Sequence, residues 1–416
     1  MEYRSKARLH LHLQLTPGFR SVKKTNITIF WPNTGFLDIE EVRFCRSFCR
    51  SMSQSICLDD TLNAVWLDYN PESSMASLLS RAESDFLLVV TDPEILLSSK
   101  ALIQLIQGDA NDFSALGPIY NLTQYPQQQA DLSAPYLNIA TFNEVVMEFF
   151  SFAEQKSVSV ATLDPSIISY PAAFLQKFSE SELTLSPADF SMLEFAKKIK
   201  RNSLVHRFGD YYDGERPDLV EMIPERVKKI LDVGCAMGGY GRGLKKARPD
   251  IRVTGVEMNP VMAQRAKVYY NHIVEGKIED ITFTDDFDLI NCGDVIEHLY
   301  DPWNMLHQLG KLLQKGGYLV LSVPNAGHWT IVRDLLNQEF EYVPVGLLCI
   351  THIRWFTEKA IKKALADSGF CIDLLKKQQL TPTASGQKFI KTMVDSGYGN
   401  EQSLLTNEFI IRAIKK

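Results

Sequence analysis

The chain has no apolar run that approaches the roughly 20 residues needed to cross a bilayer, so no membrane span is expected. Its basic start, Met1 to Leu15, lacks the apolar segment of a secretory leader; it alternates from Arg8 to Leu15 as a strand would. Positive charge is not in excess: 44 Lys and Arg face 50 Asp and Glu, for a net charge of −6. That balance speaks against nucleic acid as a partner. Cysteine is scarce, with 7 scattered among 416 residues, which suits a reducing, cytoplasmic setting better than a disulfide framework. Cys45 and Cys49 stand four apart with Cys57 beyond. No nearby His or further thiol completes a ligand set, so apolar helix-face cysteines are expected and a metal is not.

What is present is an ordinary globular composition, 45% hydrophobic and 23% charged, at a length that suggests about two domains. The charged stretch Ala196 to Asn202 reads as a helical linker and divides the chain near residue 200 into 1–200 and 201–416. In the first part, Asn26–Trp31, Leu62–Leu67, Asp85–Val90, Phe113–Gly117 and Ser157–Ala161 read as strands and Ser98–Gln107 as a helix. In the second part seven strands are expected: Val227–Gly234, Arg252–Glu257, His272–Ile278, Phe287–Asp294, Gly317–Val323, Phe370–Lys376 and Phe409–Ile414. Helical patterns at Gly241–Ala247, Pro260–Tyr270, Trp303–Leu313 and Thr357–Ser368 separate most of them, but none is convincing between the last two. Alternating strands and helices predict an α/β fold, a parallel sheet covered on both faces, with ligands at the carboxyl ends of the strands.

The first of those strands ends as Asp232-Val233-Gly234-Cys235-Ala236-Met237-Gly238, and the second ends on Glu257. Gly234 and Gly238 let backbone approach a ligand closely. Glu257 offers two oxygens to a pair of ribose hydroxyls. The dinucleotide pattern G-x-G-x-x-G is absent, and Asp232 ahead of the loop would repel a pyrophosphate but suit a cationic amino-acid ligand. The loop therefore reads as a nucleoside site, and a nicotinamide oxidoreductase is the poorer alternative.

Asp232-Val233-Gly234-Cys235 with Gly238 resembles motif I of the class I S-adenosylmethionine-dependent methyltransferases. The resemblance covers roughly the last half of the chain. It implies a Rossmann-like seven-stranded sheet with an antiparallel final strand, S-adenosylmethionine as cofactor, and Gly234, Cys235 and Ala236 wrapping its methionine part. Asp232 would organise the loop and the amino group. Ala236 replaces the commoner glycine, which suits a negative φ. Met258 and Ile278 would touch the base, and Tyr211, Tyr212 and Arg216 would cover the cofactor, Arg216 pairing with its carboxylate. The run Asn291-Cys292-Gly293-Asp294-Val295-Ile296-Glu297-His298-Leu299-Tyr300-Asp301-Pro302 resembles the D-x-x-E-H-x-x-D-P block of the ubiquinone-pathway O-methyltransferases. It places Asn291, Gly293 and Asp294 beside the sulfonium and the acceptor.

Pro324-Asn325 with His328-Trp329, and Thr351-His352-Ile353-Arg354-Trp355-Phe356, are similar to an insertion, here about 326–356, of methyltransferases fused to glycosyltransferases in bacterial glycan clusters. It would wall the acceptor site. His298, His328 and His352 are candidate bases and Asp294 a further catalytic candidate, with no choice among the histidines. Arg354 would meet an anionic acceptor, or pair with Glu339 or Glu341. The first part resembles a degenerate GT-A glycosyltransferase through Pro32-Asn33 and the acidic turn Asp92-Pro93-Glu94, which in that family holds a divalent ion. The expected activity is methyl transfer to an O or N atom of a small-molecule or glycan acceptor. A non-catalytic cofactor-binding scaffold and a bifunctional glycosyltransferase–methyltransferase are the alternatives, and the oligomeric state is open.

Overall fold

The computed structural model describes residues 25–33, 39–57, 62–106, 114–121, 123–130, 132, 138–152, 157–208, 211–283 and 286–416. The strand expected at Arg8–Leu15 lies outside these residues.

The first sheet holds β1 (Thr25–Pro32), β2 (Leu62–Tyr69), β3 (Phe86–Val90), β4 (Ile95–Leu97), β5 (Ala115–Tyr120), β6 (Ser157–Val160), β7 (Ile167–Pro171) and β8 (Lys197–Arg207). Their order is β2-β1-β3-β7-β5-β8-β4, with β6 also on β8. Strands β1, β2 and β3 run parallel, and β7 is antiparallel to both of its neighbours. β3 is Phe-Leu-Leu-Val-Val and buried throughout, as an inner strand covered on both faces must be.

The helical linker expected at 196–202 is instead the start of β8, so a break at residue 200 falls inside a strand of the first sheet. Lys197 pairs with Ala115 of β5 and with Val160 of β6. Its side chain is accommodated because the ammonium lies 4.0 Å from the Phe195 ring centre and donates to the Leu193 carbonyl. Cation–π contact and a buried stem let a lysine occupy a half-covered strand.

The second sheet holds β9 (Lys229–Val233), β10 (Arg252–Glu257), β11 (His272–Glu275), β12 (Phe287–Gly293), β13 (Leu313–Pro324), β14 (Phe370–Gln379) and β15 (Thr406–Lys415). Their order is β11-β10-β9-β12-β13-β15-β14. β9 to β13 are mutually parallel, whereas β15 is antiparallel to both β13 and β14. The order reverses between β9 and β12, which opens a crevice at their carboxyl ends. Asp301 caps the helix Pro302–Leu312 by accepting from Asn304 N at 3.0 Å, with Pro302 in the first turn.

No helix was expected between β14 and β15, yet helices Ala384–Asp395 and Glu401–Leu405 lie there. They are held by a small separate cluster, Trp329 with Ile390 and Leu404. A Cβ on Gly386 would come within 2.6 Å of the Trp329 ring, so this glycine admits the indole. Two larger clusters pack the second sheet.

The two halves share core. Ile331, Val343, Leu347 and Leu348 from the 326–356 insertion are buried in the same cluster as β1, β3 and β5. Arg333 pairs with Glu144 at 2.9 Å, and Asn138 donates to Asp334. Among the described residues no helix is long and apolar enough to cross a membrane.

Candidate functional site

At the end of β9 the chain leaves the sheet through three residues of positive φ: Gly234 at 72°, Ala236 at 45° and Gly238 at 93°. The negative φ expected for Ala236 is not found. An L-residue in that region costs about 1–2 kcal/mol, and such strain concentrates at ligand sites. The strain is held by Glu257, whose Oε2 accepts from Ala236 N at 2.9 Å while Oε1 accepts from Asn259 N at 2.7 Å. Glu257 is 7% exposed, and burial raises its pKa. Ala236 N and Asn259 N thus each bond one oxygen, the Met258 N–H is a third backbone donor, and the carboxylate retains some acceptor capacity.

Asp232 lies deeper, 2% exposed, with Tyr270 OH and Asn291 Nδ2 (2.7 Å) donating to its two oxygens. Burial pushes its pKa up to about 6. Asn291 is therefore turned toward Asp232, beneath the loop. Cys235 is buried, and its backbone N–H donates to Val256 O at 3.0 Å. Met258 is exposed at the rim, whereas Ile278 is buried in the core on the face of the sheet shared with β12.

The short helix Tyr211–Asp213 lies over the loop: Met237 N donates to Tyr212 O at 3.1 Å. Gly239 permits this approach, since a Cβ there would sit 2.3 Å from Asp213 O. Arg216, at φ 47°, is committed inside the protein rather than left for a ligand carboxylate. It donates to Asp294, to Asp218 (2.9 Å), to Glu408 (2.9 Å) and to Ser322 (3.1 Å). Asp294 also has φ of 51° and accepts from Ser322 Oγ at 2.7 Å. A Cβ on Gly293 beside it would come within 2.6 Å of the Leu219 side-chain end and displace it. Glu408, on β15, is a participant that sequence reading missed; burial, then Asp294, push its pKa up to about 8. The one available signal was an acid at the head of an otherwise apolar strand.

Two of the three candidate histidines meet. The His298 and His352 rings are 4.7 Å apart, and His352 Nε2 is 4.0 Å from Glu297 Oε1. His298 Nδ1 is 3.2 Å from Thr351 O, and His352 Nδ1 is 3.1 Å from Leu347 O. With each Nδ1–H donating to a carbonyl, each Nε2 carries the free lone pair. Burial lowers both pKa values, His352 to about 4. Glu297 is 1% exposed, neither of its oxygens has a hydrogen-bond partner among the described residues, and burial raises its pKa well above normal. The ligand atoms of Glu297, His298 and His352 lie within 4.8 Å of one another, a spacing that would also admit a metal ion. His328 stands apart. It caps the helix Trp329–Leu336 through Nδ1 and lines a different cavity with Thr141 and Pro382. Burial lowers its pKa to about 3.

Arg354 forms neither expected ion pair. It donates to Tyr300 O and lies 5.3 Å from the Tyr300 ring centre and 5.9 Å from that of Trp303. In the first half the acidic turn is closed by a guanidinium: Arg207 Nε is 2.7 Å from Asp92 and Nη1 is 3.3 Å from Asp164. Cys45 and Cys49 are buried helix-face thiols.

Residues 198–375 match a methyltransferase domain family. The chain is 28% identical over 132 residues to the ubiquinone biosynthesis O-methyltransferase of Alkalilimnicola ehrlichii, covering 29% of this chain and 51% of that protein. It is 29% identical over 167 residues to the protein of the same description from Salmonella newport, 37% of this chain and 64% of the relative. The chain thus spans about half of the first of these relatives and less than two thirds of the other. An S-adenosylmethionine-dependent methyltransferase structure from Thermotoga maritima is 18% identical over 50% of this chain and 89% of its own, with a TM-score of 0.35, at which the likeness carries no argument about the site. Residues 198–375 thus carry a class I S-adenosylmethionine-dependent methyltransferase domain, and S-adenosylmethionine is its expected cofactor.

Proposed function

We propose that the chain transfers a methyl group from S-adenosylmethionine to an oxygen or nitrogen of a sugar or glycan intermediate, in a bacterial, cytoplasmic setting. The observation that carries methyl transfer is the loop at β9 and β10. Three positive-φ residues there are braced by a Glu257 carboxylate that keeps some acceptor capacity. Such a cradle fits a sulfonium nucleoside: Glu257 would hold the ribose, Gly234 to Ala236 the methionine part, and Met258 and Ile278 the base. When bound, S-adenosylmethionine supplies an activated methyl group.

The remaining work belongs to the protein's own groups. Alignment of the acceptor with the methyl carbon is worth up to about 7–11 kcal/mol in ideal cases. A hydroxyl must also lose its proton, and a positioned base gives typically about 10²–10⁴-fold. His298 suits that role best of the three candidates. Its Nδ1 is anchored to Thr351 O, its Nε2 is free, and its lowered pKa keeps it neutral at pH 7. His352 and Glu297 stand behind it. Asp294, gripped by Arg216, shapes the same end of β12.

The glycan part rests on the first half, where the resemblance to GT-A glycosyltransferases is drawn from Pro32-Asn33 and the acidic turn after β3. Arg207 closing that turn supports the degenerate reading over an active, metal-dependent glycosyltransferase. The test is a mass-spectrometric screen of glycan-pathway metabolites with the cofactor. Gain of one methyl group by a sugar-bearing acceptor is expected. Transfer only to aromatic hydroxyls would overturn the acceptor class.

A further inference from the structure

Just beyond the candidate base the chain presents two large rings to solvent: Tyr300, 81% exposed, and Trp303, 51% exposed. Rings scattered singly on a surface are ordinary, whereas rings gathered in one patch mark a place of contact. These two are joined by a cation. The Arg354 guanidinium lies 5.3 Å from the Tyr300 ring centre and 5.9 Å from that of Trp303. Its Nη2 donates to Tyr300 O, and its Nη1 donates to Ile353 O at 2.9 Å. Two of the five N–H groups of a guanidinium are thereby used. The Nε–H is buried without a partner, and Nη1 and Nη2 each keep one N–H.

The charge of this guanidinium is uncompensated. Arg207, Arg216, Arg242, Arg333 and Arg412 each pair with a carboxylate. Arg354 forms no ion pair among the described residues. A fork with a donor left on each terminal nitrogen matches two oxygens of a phosphate or carboxylate. Its place relative to the candidate base is fixed by backbone. Ile353 N and Arg354 N both donate to Glu297 O at 3.0 Å, and the next residue, His298, is held by Thr351 O. Tyr300 follows His298 by two residues, and Trp303 lies in the first turn of the helix Pro302–Leu312. Cation, rings and imidazole are thus built on two short segments that are bonded to each other. Trp, Tyr and Arg are also the residues that carry most energy where a surface is used for binding.

We propose that Tyr300, Trp303 and Arg354 form a recognition platform for an acidic sugar acceptor, with Arg354 taking its phosphate or carboxylate and the two rings its apolar face. The inference rests on the methyltransferase reading and narrows the acceptor to an anionic one.

The test uses the full chain saturated with S-adenosylhomocysteine, titrated at constant ionic strength with D-glucose 6-phosphate, D-glucuronate and D-glucose. Binding is followed by the indole N–H resonance of Trp303, identified by its loss in Trp303→Phe. One or both acidic sugars should bind more tightly than glucose by about tenfold or more, and which of them does so tells phosphate from carboxylate recognition. Arg354→Gln should erase that preference, and Tyr300→Ala should weaken the preferred sugar by about threefold or more, with S-adenosylhomocysteine affinity held within about twofold in both. If Arg354→Gln does not fold, Arg354→Lys serves: it keeps the charge without the fork, and the preference should fall by about threefold or more. Equal affinity for the three sugars, a preference that survives the Arg354 variant, or binding that leaves the Trp303 resonance unmoved overturns the proposal. Failure of the wild-type chain to bind S-adenosylhomocysteine would instead overturn the methyltransferase reading.

Discussion

Two strand ends in this molecule carry an aspartate held by an arginine, and they differ in what remains. At the end of β3, Arg207 bridges Asp92 and Asp164, and the acidic turn is closed on itself. At the end of β12, Arg216 grips Asp294, Asp218 and Glu408, yet three residues further on Glu297 is buried with both oxygens unpartnered among the described residues, beside His352 and His298. A buried carboxyl without a partner costs free energy comparable to several lost hydrogen bonds, so it persists where something else requires it. Acids paired with a guanidinium are charge-compensated, whereas an acid that burial holds above its ordinary pKa beside two imidazoles fits the proton-handling role proposed for this end of the second sheet.

The sharpest way to break the comparison is to remove the histidines one at a time. His298→Ala should lower turnover by about 10²–10⁴-fold with S-adenosylhomocysteine affinity unchanged. His328→Ala should leave turnover intact and weaken the helix it caps, by about 1 kcal/mol. The pH dependence separates them further. His328 has a folded pKa near 3, below its ordinary value. Its contribution to stability is full above the unfolded pKa, about 6.5, and is lost as pH falls from there toward 3. Thermal melts from pH 7 to pH 4 should therefore fall less steeply for His328→Ala. Equal loss of turnover in both variants would end the assignment of the base.

Next in size is the cofactor carboxylate. Glu257→Ala should weaken S-adenosylhomocysteine binding by at least the roughly 1.5–3 kcal/mol of charged hydrogen bonds, more than tenfold by calorimetry. Asp92→Ala, at the corresponding acidic turn of the first half, should leave that affinity untouched. If the two variants behave alike, the distinction between a closed turn and an open one is wrong.

The paired arginines come third. Arg207→Met leaves Asp164, almost fully buried, without its cation. Both ion pairs are partly exposed, so the loss should fall between the surface and buried limits, roughly 2 kcal/mol in urea unfolding. Arg216→Met should lose at least as much, because three carboxylates are released at once. It should also impair turnover, whereas Arg207→Met should not.

Much of the second sheet was legible because its inner strands are unbroken apolar runs closed by Gly or an acid. Arg252–Glu257 ends where its periodicity stops. The loop after β9 and the position of Glu257 at the end of β10 were legible for the same reason, but not the positive φ of Ala236, where a negative one was expected. β8 was not, because its lysines imitate a solvated helix, and the Phe195 ring and Leu193 carbonyl that hold Lys197 in the strand are not visible in the spacing. The helices between β14 and β15 were hidden because their few apolar residues serve one distant indole, Trp329. The meeting of Glu297 with His352 and the commitment of Arg216 to Glu408 are tertiary facts. No local spacing encodes which of several polar residues a distant strand will face.

The smallest effect concerns Ala236, the one non-glycine residue of positive φ in the cofactor loop. If its backbone is held in that region by the hydrogen bond to Glu257, Ala236→Gly should relieve the side-chain clash of the left-handed region, about 1 kcal/mol. Glycine's greater freedom in the unfolded chain takes some of that back, and a net rise in melting temperature of about 1–2 °C is expected for a unit of this size. Affinity for S-adenosylhomocysteine should stay level or improve slightly, since the N–H donated to Glu257 is unchanged. The paired variant Ala236→Val should lower both stability and affinity, because a β-branched side chain resists this φ more strongly than alanine does. A destabilised Ala236→Gly would mean that the alanine methyl is itself a packing element, and the loop's shape would then depend on that contact and not on the grip of Glu257.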